Sequence, residues 1–414
     1  MKHGDCTSTR KKENALKRLK ISYFVDTYFP MVDGVTMVVD SYARLLSQIA
    51  DVAVFCPYVK KKDYPGDHFP YRVVRCRGVS VPNFDYRLPL PDIDLNFARA
   101  VTDFSPDIVH IHSPFAVGQA GIRYAKKRGV PLIGTVHSQF DQDFMRVTKN
   151  QFVSGLLTKG IVTKVFNNCD VRWAVNENIR ELSVRQYALQ EPVEVCRNAT
   201  DLLPVSDPER IRRELDERYA ILPGEKVLLF VGRLNALKNI FFLVRSLAAL
   251  REIYPSFRML FVGSGQDEKK LTEMIETLSL TDRVTLCGAI RDRETLAAYY
   301  DRADLFVFPS LYDASSLVQI EAASQQTPTI FLRGARTAGT VTENVNGYIG
   351  ENDEILFGKK IAEILADDAG RALVAANAKK DLYVTWEDVV RDVYQRYLAL
   401  LPEDKKRDLP SFRT

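Results

Sequence analysis

The residues best suited to chemistry stand where apolar runs end. In VGRLNALKN, Arg233 leaves the tip of a β-rich run and Lys238 opens the following helical pattern. Two cations fixed there suit a diphosphate and would stabilise it as a leaving group; an ordinary surface lysine at 238 is the competing reading. In PSLYDASSLVQIEAASQQTP, Asp313 lies in a loop and Glu321 follows eight residues later in a helix. Ser315, Ser316, Leu317 and Val318 between them present helix N-terminal amides, which favour phosphate. Glu321 sits among apolar neighbours, where a lone carboxylate is costly. It therefore calls for a ribose diol or a buried basic side chain, unless it lies solvated on an exposed face.

Weaker signals surround these. Gly34, in DTYFPMVDGVTMVV, stands where a loop becomes a helix, so a phosphate can approach the backbone there; a plain turn explains it equally, and the pattern is not G-x-G-x-x-G. Gly263 and Gly265 in VGSGQDEKKL fit a nucleotide-facing loop or a strand-to-helix turn. His110 and His112 alternate on DIVHIH and share one strand face. A metal pair is conceivable, but no Cys, Asp or Glu falls at matching spacing, so polar cleft-lining or core histidines are favoured.

The elements that must position these residues form two series. The first runs KISYFVD (20–26), a helical pattern 35–50, DVAVFC (51–56), DIVHIH (107–112), a helix to Arg128 and VPLIGTVH (130–137). The second runs KVLLFVG (226–232), helix 239–253, FRMLFVG (257–263), helix 267–278, RVTLCG (283–288), helix 292–301, ADLFVFPS (303–310), helix 316–325 and TPTIFL (327–332). Continuous apolar strands alternating with helices indicate parallel sheets covered on both faces. Ligands then bind outside the carboxyl ends of the strands. Between the series, CRNATDLLPVSDPER (196–210) reads as a connector into a helix capped near Asp207 with Pro208 at its first position. WEDVVRDVYQRYLALL (386–401) adds an amphipathic helix after the second series. The expected organisation is a basic tail 1–19, domains 20–200 and 201–385, and a terminal helical segment 386–414.

Together, GRLNALKN, the Asp313-to-Glu321 pair and the paired Rossmann layout resemble the retaining glycosyltransferases of the GT-B fold that carry the E-x7-E motif, the family 4-like, group 1 type. The resemblance extends from about Lys20 to about Tyr397 and includes Gly34, His137 at the end of VPLIGTVH, Asn198 and the turn NVNGYI with Gly347. It implies two Rossmann-like domains facing across a cleft, with the last helix crossing back to the first. By position it implies that Arg233 and Lys238 hold and neutralise the donor diphosphate and that Glu321 binds the ribose. Asp313 would contact the transferred sugar, while Ser316 and Leu317, with Val318 beside them, offer amides. His137 would face the reacting centre, and Gly34 would approach the diphosphate when the cleft closes; Gly263 stays with its own reading as a nucleotide-facing position. It further implies metal-independent transfer with retention and no cofactor beyond the nucleotide-sugar donor, UDP-linked on this reading. The chain departs from the pattern at Asp313, one methylene short of the usual glutamate, at Ser315 and Ser316 in place of phenylalanine and glycine, at Ala199, and at Gln326-Thr327-Pro328.

Composition bounds the partners. The 414 residues are 46% hydrophobic and 27% charged, which excludes a disordered, fibrous or disulfide-stapled chain. Six cysteines without a C-x-x-C read as reduced thiols of a cytosolic protein. No apolar signal segment and no run of 18 apolar residues is visible, so no spanning helix is expected. The net charge of +4 conceals a split: residues 1–200 carry 28 basic and 20 acidic side chains, the remainder 29 and 33. The basic half includes Lys60, Lys61, Lys62, Lys126, Lys127 and Arg128. It also includes Arg146, Lys149, Lys159 and Lys164 around FVSGLLTKGIVTKVF (152–166), a basic amphipathic helix. Such a helix rests on an anionic membrane surface or is a solvated face over a buried helix. Nucleic acid is disfavoured because no aromatics interleave the cations. The reading is a hexosyltransferase acting on a lipid-linked or cell-envelope glycan, cytoplasmic or peripheral at the inner face of the membrane. The alternatives are a soluble sugar acceptor and a catalytically silent GT-B partner subunit.

Overall fold

The computed structural model describes residues 17–31, 33–58, 68–80, 87–311, 313, 317–406 and 409–410. Cys6, Lys60, Lys61, Lys62, Ser315 and Ser316 lie outside the described residues. Fifteen strands are described: β1 (Lys20–Phe24), β2 (Asp51–Pro57), β3 (Arg72–Cys76), β4 (Gly78–Ser80), β5 (Arg87–Pro89), β6 (Ile108–Ile111), β7 (Leu132–Val136), β8 (Val171–Ala174), β9 (Val193–Val195), β10 (Lys226–Val231), β11 (Phe257–Val262), β12 (Val284–Gly288), β13 (Leu305–Phe308), β14 (Thr329–Leu332) and β15 (Tyr348–Gly350).

They build two parallel sheets, ordered β3-β2-β1-β6-β7-β8-β9 and β12-β11-β10-β13-β14-β15, with β4 and β5 as a separate hairpin. In each sheet the order reverses beside the first strand, between β1 and β6 and between β10 and β13. At such a switch point the two flanking loops diverge and leave a crevice at the strands' carboxyl ends. Gly34 follows β1, Arg233 and Lys238 follow β10, and Asp313 and Glu321 follow β13.

Several elements have no counterpart in the apolar pattern. β3 is a half-exposed edge strand with Arg72 and Arg75, β8 holds four residues including Arg172, and β9 holds three. Strands this short or this charged carry too little apolar signal to be read. Residues 17–19 are not part of a tail: Leu19 is buried, and Arg18 donates to the carbonyls of Ser47 and Ala50 and pairs with Asp51. The segment 152–166 is not one regular helix. It runs as Gln151–Leu157, a wide π turn Thr158–Thr163 and Lys164–Phe166. The helix after the connector begins at Pro208, with Asp207 accepting from the Arg210 amide.

Helix Trp386–Ala399 belongs to the core of the first domain. Trp386, Val389, Val390, Val393, Tyr394 and Tyr397 recur at helical spacing and are all buried among Tyr23, Tyr42, Ile108 and Trp173. Trp386 packs edge-on against Tyr42, and Tyr397 stacks on Trp173 at 5.9 Å between ring centroids. Fully burying one such side chain contributes about 1.5–3 kcal/mol. Trp386→Ala is expected to destabilise the first domain by about 3–5 kcal/mol in a denaturant titration; a loss below about 1 kcal/mol would show that the helix does not cement this core.

Candidate active site

The Lys238 cation is held by a compact turn. After β10, the Asn235 side chain accepts from the Lys238 amide, and Asp267 accepts from the Ala236 amide at 2.9 Å, closing a short 3-10 turn over Ala236–Lys238. Asn239 then adopts a left-handed conformation (φ +58°) and starts helix Ile240–Ile253. The Lys238 ammonium lies 5.5 Å from the centre of the Phe308 ring and forms an ion pair with the Asp313 carboxylate. The two residues marked separately in the sequence therefore meet. The other oxygen of Asp313, Oδ2, is buried with no hydrogen-bond partner among the described residues, so an acceptor remains for a hydroxyl. Arg233 is exposed at the strand tip.

Gly263 has a reason of its own. Its φ is +144°, and a Cβ there would lie 1.9 Å from the Gly232 carbonyl oxygen; a Cβ on Gly265 would similarly strike that of Leu234. These glycines let the loops after β10 and β11 touch, so close packing accounts for them without a ligand. Gly347 likewise serves packing, since a Cβ would meet Val341 at 2.9 Å. Gly34 is different: it opens helix Gly34–Leu46, Asp33 caps it by accepting from Thr36 at 2.7 Å, and a Cβ would meet nothing within 4 Å. The fold itself does not require a glycine there.

Glu321 is buried in helix Leu317–Ser324, whose first residues, Leu317 and Val318, are half-buried. Its basic partner is Arg293, which donates to Oε1 at 2.8 Å, while Tyr300 donates its hydroxyl to Oε2 at 3.0 Å. Burial and then the Glu321 charge push the Tyr300 phenol well up, which keeps it a donor. Arg293 also reaches Asp201 at 2.5 Å, in the connector. Each carboxylate oxygen retains a second lone pair, so Glu321 can still accept from a diol. Arg293 and Tyr300 were not singled out by sequence; a partner for Glu321 was expected, but nothing in RDRETLAAYYDR distinguishes the arginine that reaches it.

Across the cleft, His137 stands one residue beyond β7 and His112 one beyond β6. His112 Nδ1 lies 2.8 Å from His137 Nε2. His110 is occupied at both nitrogens, by the Tyr397 hydroxyl at 2.6 Å and Thr135 Oγ1 at 2.7 Å, so it is a core histidine with no lone pair to offer a metal. Among the described residues no group of three or more His, Cys, Asp or Glu is arranged to hold one. Burial lowers all three imidazoles, His137 to about 3 and the other two well below the ordinary range with help from their histidine neighbours. The domains touch where Gln139 donates to the Asp313 carbonyl at 3.0 Å and Asn178 to the Arg336 carbonyl at 2.6 Å; Arg336 also pairs with Asp141 at 3.5 Å. Asn198 lines a small cavity of about 50 Å³ at the junction, with Asn176, Gln319 and Thr337.

Two family models match the chain in succession: Glycosyltransferase Family 4 over residues 32–202 and Glycosyl transferases group 1 over 211–381. This chain belongs to the GT-B glycosyltransferases of that family 4-like type. It is 25% identical to the alpha-monoglucosyldiacylglycerol synthase of Streptococcus pneumoniae, over 93% of this chain and 92% of that one. It is also 25% identical to a GDP-mannose-dependent alpha-mannosyltransferase of Corynebacterium glutamicum, over 96% and 93%. Among solved structures, the sucrose-phosphate synthase of Thermosynechococcus elongatus superposes with a TM-score of 0.75 at 22% identity, covering 92% of this chain and 99% of that one. Anabaena HepE in complex with UDP does so with 0.75 at 16% identity, covering 92% and 100%.

The buried His137 links stability to pH. The unfolded chain protonates it near 6.5, whereas the folded chain does so only near 3. Between these values the unfolded state binds the extra proton, so stability falls as pH falls, by about 2 kcal/mol at pH 5. Asp143, whose carboxyl is raised by burial to about 6, acts in the opposite sense below that pH, so the comparison is made against His137→Asn. In urea titrations at pH 7.5 and 5, the variant is expected to lose about 2 kcal/mol less than wild type. Equal losses would mean that His137 titrates freely in the fold.

Proposed function

We propose that this glycosyltransferase moves a hexose from a UDP-sugar to a lipid-linked acceptor at the cytoplasmic membrane face, with retained configuration and without a metal. The observation that carries the acceptor class is a helical hairpin directly after His137 and Gln139. Helices Phe140–Thr148 and Gln151–Leu157 leave Val147 78%, Phe152 76% and Leu156 55% exposed, with Met145 and Val153 also outward. Arg146, Lys149, Lys159 and Lys164 are exposed on the same segment. Apolar side chains ringed by cations at a cleft mouth suit the boundary of an anionic bilayer. Among the described residues no helix is long and apolar enough to cross one. The full-length similarity to a glycolipid synthase supports the same acceptor class, and HepE, which shares the fold, has been seen with UDP and with UDP-glucose.

On this reading the donor diphosphate displaces Asp313 as the anion paired with Lys238, and Arg233 closes on it from the strand tip. The bond from the anomeric carbon to the phosphate oxygen breaks as the acceptor oxygen bonds the same face of that carbon. The acceptor's proton passes to the departing phosphate oxygen. The two cations stabilise charge that develops on the leaving group, so they act mainly on the transition state. Asp313, freed from Lys238, accepts from a sugar hydroxyl, and Glu321 holds the ribose diol. Leu317 and Val318 contribute amides beside Ser316, Gly34 admits the diphosphate from the first domain, and His137 faces the sugar.

Slow UDP release from a UDP-hexose without acceptor is expected to persist in EDTA and to fall at least about 10²-fold in Lys238→Ala. Absence of turnover with any nucleotide sugar would instead identify a silent partner subunit. For the acceptor, flotation with vesicles containing anionic lipid is expected to lose binding when Lys149, Lys159 and Lys164 are replaced by Glu; undiminished binding rules out this surface as the membrane contact.

A further inference from the structure

Three of the chain's five histidines lie in one file behind the cleft. His110 and His112 approach to 4.1 Å between ring centres, and His112 and His137 to 5.0 Å. His110 is fixed at both nitrogens by Tyr397 and Thr135. His112 makes one polar contact, through Nδ1 to His137 Nε2; its own Nε2 is buried with no hydrogen-bond partner among the described residues. The rings of Tyr23 and Tyr42 flank it, and both phenol oxygens are engaged elsewhere, with Tyr397 and with Cys196.

One proton lies between the two imidazoles, and two arrangements place it. If His137 donates from Nε2, a neutral His112 must carry its own proton on Nε2 and bury an N–H that meets no acceptor. If His112 donates from Nδ1, only a lone pair is left bare at Nε2. An orphaned buried N–H is the rarer and costlier defect. A shared cation is opposed by the same burial that lowers both groups. With Nε2 of His137 accepting, its proton resides on Nδ1, the ring nitrogen left for a ligand.

We propose that His112 is a positioning residue that donates its Nδ1–H to His137 Nε2 and fixes His137 as the tautomer protonated on Nδ1. His137 then meets the transferred sugar as a hydrogen-bond donor and not as a base. The role toward sugar rests on the glycosyl-transfer reading above; the tautomer does not. A donor at this place holds a sugar oxygen by its lone pair and cannot take the acceptor's proton, which leaves the departing phosphate oxygen as the base.

The test is a two-bond 15N–1H correlation spectrum of the full-length chain labelled at its histidines, with His137 assigned from His137→Gln. The expected spectrum shows His137 protonated at Nδ1 and bare at Nε2. In parallel, His112→Leu removes the donor, while His112→Asn retains an N–H near the place of Nδ1. His112→Leu is expected to lower kcat for UDP release about 10²-fold with little change in donor KM or UDP binding, and His112→Asn to recover most of that loss. A wild-type His137 protonated at Nε2 overturns the proposal. So does wild-type kcat in His112→Leu, or an Asn variant that binds UDP normally yet is as slow as the Leu variant. If His112→Leu does not fold, the wild-type spectrum and His112→Asn decide. If wild type turns over no nucleotide sugar, the glycosyl-transfer reading fails while the spectrum still judges the tautomer.

Discussion

The hydroxyl of Tyr397 reaches back 287 residues to His110, and much of the first domain is organised around that contact. The helix that carries it lays six side chains into a core built on β1, β6 and β8, so that core is incomplete until this helix docks. Its return also runs a second strand of chain past the connector: Thr200 bridges Thr385 and bonds the Val384 carbonyl, and Arg197 donates to the Asp381 carbonyl. The two crossings thus run side by side and bond to each other where the chain passes between the domains.

The same helix stabilises the back of the site. Tyr397 holds His110, His110 lies against His112, and His112 bonds His137. Burial keeps the file neutral, so its rings are held by hydrogen bonding and not by charge. In the second domain the opposite principle operates. Each of the two carboxylates, Asp313 and Glu321, carries a cation, Lys238 or Arg293. A half-buried lysine and a buried glutamate are each costly alone. Pairing Lys238 with Asp313 and Arg293 with Glu321 offsets that cost within the protein.

Much of the fold was legible in the residues. Short apolar runs such as KVLLFVG and FRMLFVG, bounded by glycine and alternating with helical segments, read as strands buried on both faces, and the face of WEDVVRDVYQRYLALL identifies a helix with a core to cover. The Asp207-Pro208 helix start was equally plain. The short strands β8 and β9 and the edge strand β3 were not, because length and charge erase the periodic signal. The glycines were open to two readings each, and the structure separates them: a Cβ on Gly263 would strike the Gly232 carbonyl, whereas one on Gly34 would meet nothing within 4 Å.

Sequence by itself determined the two parallel sheets, the strand ends where chemistry gathers and the residue types present there, because periodicity and loop position are local properties. Only the tertiary structure decided which of those residues meet. Lys238 pairs with Asp313, 75 residues away in sequence, because β10 and β13 are neighbours, and Arg293 reaches Glu321 because two successive helices pack side by side. His137 acquires its partner from a different strand, and the terminal helix closes the file from the far end of the chain. Partners chosen by burial and sheet order leave no spacing rule in the sequence, so these pairings were decided by the fold.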